Sequence, residues 1–274
     1  DWGYSIAVDG SGNVYTTGHF DGTADFDPGA PVYNLTSPII QDIFVSKLNS
    51  SGNFVWAKSM GGASFDYDNS IAVDGSGNVY TTGYFYGTAD FDPGAPVYNL
   101  TSAGSNDIFV SKLDASGNFV WAKRMGGASG DYSNSIALDG SGNVYIMGDQ
   151  YSATVDYDPS AGIFNLSNTG IEANFIARYD NNGNFLCAML ITPGHNETGA
   201  NRHLAANGSN VWVAAIFDAA TTDFDPCPPF YNPGVYGSWD IYVAKYNFSS
   251  CICGVLPLSA TATGSNVLCN GQCT

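Results

Sequence analysis

The chain has 274 residues, 44% of them hydrophobic, with 33 Gly, 17 Tyr and 16 Phe, and a formal net charge of -17. That supplies a sizeable core and length for more than one domain. A strongly anionic surface repels phosphate backbones and argues against a nucleic-acid partner. No run of about 18 apolar residues is present to cross a membrane as a helix.

In chain order, SIAVDGSGNVYTTG begins at Ser5 and returns at Ser70, and SIALDGSGNVYIMG begins at Ser135. Asp9, Asp74 and Asp139 therefore stand 65 residues apart. A fourth, divergent copy runs through NGSNVWVAAIF, TTDFDP and SWDIYVAKY. Within one copy, IAVD predicts a short strand, GSGN a turn and NVYTTGYF a second strand, which together make a hairpin. TADFDPG reads as a Pro/Gly-terminated loop and VYNLTS as a short extended piece. DIFVSKL predicts a third strand, with Ile108, Val110 and Lys112 on one side and Phe109, Ser111 and Leu113 on the other. DASGN turns the chain, and NFVWAKSMGG is the fourth strand, closed by Gly-Gly. No long 3.6-residue apolar period occurs, so helices are expected to be few.

Four antiparallel strands in about 65 residues, repeated in tandem, fit an all-β chain built as a β-propeller or a propeller section of four four-stranded blades. The expected blades are residues 1–65, 66–130, 131–199 and 200–256, the last incomplete or divergent. Residues 257–274 are expected to be a linker and the first strand of a following domain. The chain opens inside a copy and has neither an initiator Met nor a signal segment, so it reads as a processed or partial product.

AVDGSGNVYTTG, ADFDPG, DIFVSKLDASGN and FVWAK make the unit similar to the SBBP-type (seven-bladed β-propeller) repeat of secreted bacterial proteins. The likeness covers residues 1 to about 246. It implies a blade fold and an extracellular or cell-surface setting, and no shared catalytic residues. LSATATGSNVLCNGQCT resembles the opening strand of the Ig-like repeats that follow such propellers in gliding or adhesion proteins.

The motif D-[FY]-D-P occurs in every copy, at Asp25 and Asp27, Asp90 and Asp92, Asp156 and Asp158, and Asp223 and Asp225. In an extended segment both carboxylates face one side. Two readings stand: a Ca²⁺ site in each blade, completed by backbone carbonyls and water, or an Asx-turn that stabilises an Asp-Pro corner. The DGSGN loops at Asp9, Asp74 and Asp139 lack the alternating ligands and distant Glu of an EF-hand and read as capped turns. The cysteines Cys187, Cys227, Cys251, Cys253, Cys269 and Cys273 all lie in the last third. Their even number fits disulfides in an oxidising compartment.

His19, His195 and His203 do not recur between copies, which argues against a fixed catalytic cluster. Trp56 and Trp121 sit in alternating apolar strands and read as core. Lys47, Lys112, Arg178 and Lys245 recur in strand three and are expected to pair with a nearby Asp or to reach solvent. The sequons at Asn34, Asn99 and Asn165 fit exposed positions.

Function is therefore expected to be non-catalytic. The chain reads as a structural or adhesive module of a larger extracellular protein, stiffened by Ca²⁺ or disulfides. Its partners would be other surface proteins or other copies of itself, joined through open sheet edges. The alternative is a carbohydrate-binding module using Tyr84, Phe85 and Tyr86. A propeller-type glycan-processing enzyme is less favoured, because Arg124, Arg178 and Arg202 are the only arginines available to grip a substrate carboxylate.

Overall fold

A computed structural model describes residues 1–168, 172–191, 203–217 and 240–248. Among these residues every regular element is a strand. The chain divides into two compact units, Asp1–Gly126 and Gly127–Thr274.

In the first unit, β1 (Trp2–Val8), β2 (Val14–Asp25), β3 (Asn34–Leu48) and β4 (Phe54–Gly62) pair antiparallel in sequence order. The second copy supplies β5 (Asp66–Val73), β6 (Val79–Phe85), β7 (Thr88–Asp90), β8 (Asn99–Thr101), β9 (Asp107–Leu113) and β10 (Phe119–Met125). Its blade has the order β5-β6-β9-β10. The segment expected as a loop plus an extended piece is a hairpin, with Thr88–Asp90 paired to Asn99–Thr101. That hairpin also pairs with the end of the preceding blade, Gly61 opposite Asp90 and Gly62 opposite Ala89. In the first copy the same hairpin is continuous with the long strands β2 and β3, after a register shift between Asp21 and Thr23.

In the second unit, β11 (Asp131–Leu138), β12 (Val144–Gln150), β13 (Thr154–Asp156), β14 (Asn165–Ser167), β15 (Ala173–Tyr179) and β16 (Phe185–Ile191) repeat the pattern. The blade order is β11-β12-β15-β16, and β13-β14 form the separate hairpin. The fourth copy shows β17 (His203–Asn207), β18 (Asn210–Phe217) and β19 (Asp240–Asn247) as one antiparallel sheet. The expected domain start at 257–274 lies outside the described residues.

The core of each unit forms between consecutive blades. In the first, Tyr15, Ile43, Val45, Trp56 and Met60 meet Ile71, Val79, Phe85, Phe109 and Leu113 of the next blade. In the second, Tyr145, Met147, Ile176, Cys187 and Met189 meet Val211, Val213, Tyr242, Ala244 and Tyr246. Burying one such side chain contributes about 1.5–3 kcal/mol. The expected alternation on β9 holds for direction but not for exposure, since all seven of its residues are buried. Alternation reports an inside and an outside only when one sheet face is wet.

The strand glycines have a steric cause. In each of the first three copies, strand one shifts register against strand two, between Gly3 and Ser5, Asp68 and Ser70, and Ser133 and Ser135. At these bulges the chain turns a carbonyl onto the facing residue of strand two. A Cβ at Gly18, Gly83 or Gly148 would collide with the carbonyl oxygen of Trp2, Tyr67 or Tyr132 respectively.

Candidate functional site

In each of the first three blades the repeated polar residues assemble into one small device. Asp9 Oδ1 accepts the N–H groups of Ser11 (2.8 Å) and Asn13 (3.0 Å), and Oδ2 accepts the Asn13 amide (2.8 Å) and the Tyr15 hydroxyl (3.0 Å). The Asn13 side-chain hydrogen bond leads the effects that hold the Asp9 carboxyl down at about 2. Asp74 with Tyr80, and Asp139 with Tyr145, repeat the arrangement. The loop after strand three uses the same geometry, with Asn49, Asp114 or Asp180 as the acceptor. Each loop needs a glycine at positive φ, as at Gly12 (81°) and Gly117 (78°). The capped-turn reading therefore accounts for these loops through the hydrogen bonds of one side chain.

Directly across the strand pair from each of these aromatics sits a cation. Tyr15 faces Lys47, Tyr80 faces Lys112, Tyr145 faces Arg178 and Trp212 faces Lys245. The cationic groups stand 4.9, 4.8, 5.3 and 5.3 Å from the ring centres. Lys47 Nζ also donates to the Ala115 carbonyl of the next blade at 3.2 Å, beside Trp56 Nε1 at 3.2 Å. Arg178 donates to the Phe248 carbonyl at 3.2 Å. The expected partner, an aspartate, stands beside Arg178, which lies 3.8 Å from Asp139. All four cations lie over aromatic faces, and Lys47 and Arg178 also donate to the main chain of the following blade.

A D-[FY]-D-P loop is described in each of the first three copies. Asp25 Oδ1 accepts the N–H of Asp27 (3.0 Å) and of Tyr33 (2.8 Å), and Asp27 Oδ1 accepts that of Gly29 (2.7 Å). Asp90 and Asp92, and Asp156 and Asp158, make the same contacts. Phe91 and Tyr157 are buried and anchor the loop. Asp223 and Asp225 lie outside the described residues. Among the described residues no three His, Cys, Asp or Glu side chains converge in a metal-binding arrangement.

A second set of acids was not singled out by the sequence reading. Asp42, Asp66, Asp68 and Asp107 are buried. Asp66 Oδ2 accepts the Gly62 N–H at 2.8 Å. Burial, opposed by that bond and reinforced by the charge of Asp42, raises the Asp66 carboxyl to about 8. Burial likewise raises Asp68 to about 8, against a hydrogen bond from the Thr17 hydroxyl at 2.5 Å, and Asp42 to about 6. Asp107 is raised by burial but opposed by Arg124, whose Nη1 stands 2.5 Å away. A Cβ on Gly61 would run into Asp42, and one on Gly126 into Asp107. The Gly-Gly that closes strand four thus makes room for a carboxylate and donates to another. The legible signal was an Asp four residues after each Gly-Gly, Gly62 to Asp66 and Gly127 to Asp131.

His19 is buried against Trp2 (4.9 Å), Tyr4 (5.3 Å) and Tyr67 (4.5 Å), and burial lowers it to about 4, leaving a neutral ring. His203 is exposed on β17, and His195 lies outside the described residues. Of the proposed sugar-stacking aromatics, Phe85 is core, Tyr84 stacks on Tyr67 at 5.0 Å, and Tyr86 is exposed. Trp56 and Trp121 are buried, and the sequon residues Asn34, Asn99 and Asn165 are exposed. Cys187 is buried on β16, and Cys227, Cys251, Cys253, Cys269 and Cys273 lie outside the described residues.

Comparison with known proteins places this geometry in a family. Residues 1–26, 55–87 and 120–149 match the SBBP β-propeller repeat. Over 238 residues the chain is 30% identical to an uncharacterized WD repeat-containing protein of Acanthamoeba polyphaga mimivirus, a match covering 75% of this chain and 17% of that protein. It is 27% identical over 238 residues to the regulatory protein FlaEY of Caulobacter vibrioides, covering 82% and 23% respectively. The chain thus spans less than a quarter of the length of either relative. With antiparallel four-stranded sheets in tandem, the chain is a propeller-type section, and its three matched segments are those of the SBBP β-propeller repeat.

Proposed function

We propose that this chain is a non-catalytic structural and adhesive module of a larger extracellular or cell-surface protein. One observation carries the reading: the side chains that recur from copy to copy hold loops and join blades. Asp9 with Tyr15, Lys47 with the Ala115 carbonyl, and Asp25 with its two N–H groups are all occupied in this way. Adhesion would then fall to exposed loops that vary between copies. Calcium at the D-[FY]-D-P loops and disulfides among the six cysteines are parts of the same proposal. Thiol titration of the unfolded, unreduced protein tests the second, with no reactive thiol expected.

A carbohydrate-binding module is the second reading. It is favoured by a strip in which Phe65 stacks with Tyr67 at 6.1 Å, Tyr67 with Tyr84 at 5.0 Å, and Phe65 and Tyr86 remain exposed. Sugar rings stack on such faces. A glycan array probed with the whole chain separates the two. No binding supports the structural reading, and binding abolished by Tyr84→Ala and Tyr86→Ala supports the alternative.

A further inference from the structure

In the first unit, the Gly-Gly that closes β4 brings two buried carboxylates together. Asp42 lies against Gly61, where a Cβ would stand 2.3 Å from its Oδ1, and Asp66 Oδ2 accepts the N–H of Gly62 at 2.8 Å. They are near enough for the charge of Asp42 to act on Asp66. Asp42 is 5% exposed and Asp66 is fully buried. Oδ1 of each is buried and has no hydrogen-bond partner among the described residues. A buried carboxylate oxygen without a donor is costly, and two such groups side by side also repel.

The counterparts 65 residues on show how such acids are answered. Asp107, the counterpart of Asp42, has Arg124 Nη1 2.5 Å from its Oδ2. The residue at the place of Arg124 beside Asp42 is Ser59. Asp131, the counterpart of Asp66, accepts the N–H groups of Gly127 (2.9 Å), Tyr151 (3.0 Å) and Ser152 (3.0 Å), and the Ser152 hydroxyl (2.7 Å). The residue at the place of Ser152 beside Asp66 is Gly87. The Asp42–Asp66 pair thus keeps both acids and has neither of the side chains that answer their counterparts.

We propose that Asp42 and Asp66 form a site for a hard divalent cation, separate from the D-[FY]-D-P loops. A guanidinium supplies positive charge at this place one copy on, and a divalent ion balances two carboxylates where no arginine stands. Ca²⁺ and Mg²⁺ are held by carboxylate, hydroxyl, carbonyl and water oxygens. The Ser37 and Ser59 hydroxyls lie beside Asp42. Ser37 gives its proton to the Ile40 carbonyl, which leaves its oxygen lone pairs for an ion. Ser59 is half-buried and gives an ion a path from solvent. Two carboxylates already match the ion's charge, so a third acidic side chain is not required. In the ion-free chain a proton relieves the repulsion, in line with the raised carboxyls of both residues, and an ion that binds expels it.

Calorimetric titration of the whole, chelator-stripped chain with CaCl₂, and separately with MgCl₂, tests this. At neutral pH the wild type should bind at least one of these ions and release protons, seen as a heat that changes with the ionisation enthalpy of the buffer. Ser59→Arg installs the cation that copy two carries, and Asp66→Asn removes one carboxylate while keeping the Gly62 contact. Each variant should bind one ion fewer per chain than the wild type. Asp90→Asn, in the second D-[FY]-D-P loop, should retain that ion, which separates the two sites. In chelator, Ser59→Arg should melt above the wild type. Circular dichroism separates loss of binding from loss of fold, and Ser59→Arg decides the matter if Asp66→Asn does not fold. Failure of the wild type to bind either ion overturns the proposal and leaves the pair holding a proton only. Binding that survives unchanged in Ser59→Arg, or that is lost wholly in Asp90→Asn, places the ion elsewhere and overturns it too.

Discussion

Replacing Asp66 by Asn tests the buried carboxylates directly. Asp66 is fully buried, and its carboxyl is raised from an ordinary 3.8 to about 8, chiefly by burial. Between those values the folded chain holds a proton at this site that the unfolded chain has lost. Stability must then fall as pH rises, by up to about 1.4 kcal/mol per pH unit. From pH 5 to pH 8 this one group contributes a loss on the order of 3–4 kcal/mol. An Asn amide oxygen still accepts the Gly62 N–H, and the amide cannot ionise. Urea unfolding followed by fluorescence at pH 5, 6, 7 and 8 should show wild-type stability declining and the Asp66→Asn decline smaller by that amount. Part of the decline should persist, because Asp68 and Asp42 are also raised. Parallel profiles for the two proteins, or wild-type stability that rises across this range, would refute the reasoning.

Gly83→Ala should destabilise by about 1–3 kcal/mol through overpacking, because its Cβ meets the Tyr67 carbonyl, whereas Gly75→Ala should be nearly neutral, since nothing lies within 4 Å of that site. Equal melting temperatures for the two variants would remove the bulge explanation. At the second D-[FY]-D-P loop, Asp90→Asn should keep the two N–H contacts and most of the stability, while Asp90→Ala should lose about 1 kcal/mol. Thermal melts with and without millimolar calcium belong beside them. A calcium-dependent rise present in wild type and absent in Asp90→Asn would establish the ion at the loop. Equal melts in both conditions would leave the turn as its whole explanation.

The strands, their turns and the tandem order were legible because they follow local rules. Glycine at positive φ after Asp9 or Asp114, and apolar runs between such loops, specify strand, turn and partner within a few residues. The hairpin built on Thr88–Asp90 was less visible because its strands have three residues each, too few for a period to register. The roles of Lys47 and Arg178 were hidden for another reason. Each reaches a carbonyl 68 or 70 residues away, and a main-chain acceptor leaves no mark on composition. Asp42 and Asp66 escaped notice because Asp in a chain so rich in turns reads as a turn residue. Only the Gly-Gly against which they pack distinguishes them.

The use of a main-chain oxygen at each joint bears on how such arrays can grow. The cation of one blade is received by residue 115 in one joint and by residue 248 in the other, an alanine and a phenylalanine. Because every residue presents a carbonyl, the acceptor survives any substitution that leaves the loop in place. A duplicated or exchanged blade therefore finds a fitting neighbour without a matching mutation, and the copies can diverge in their exposed loops while remaining interchangeable parts.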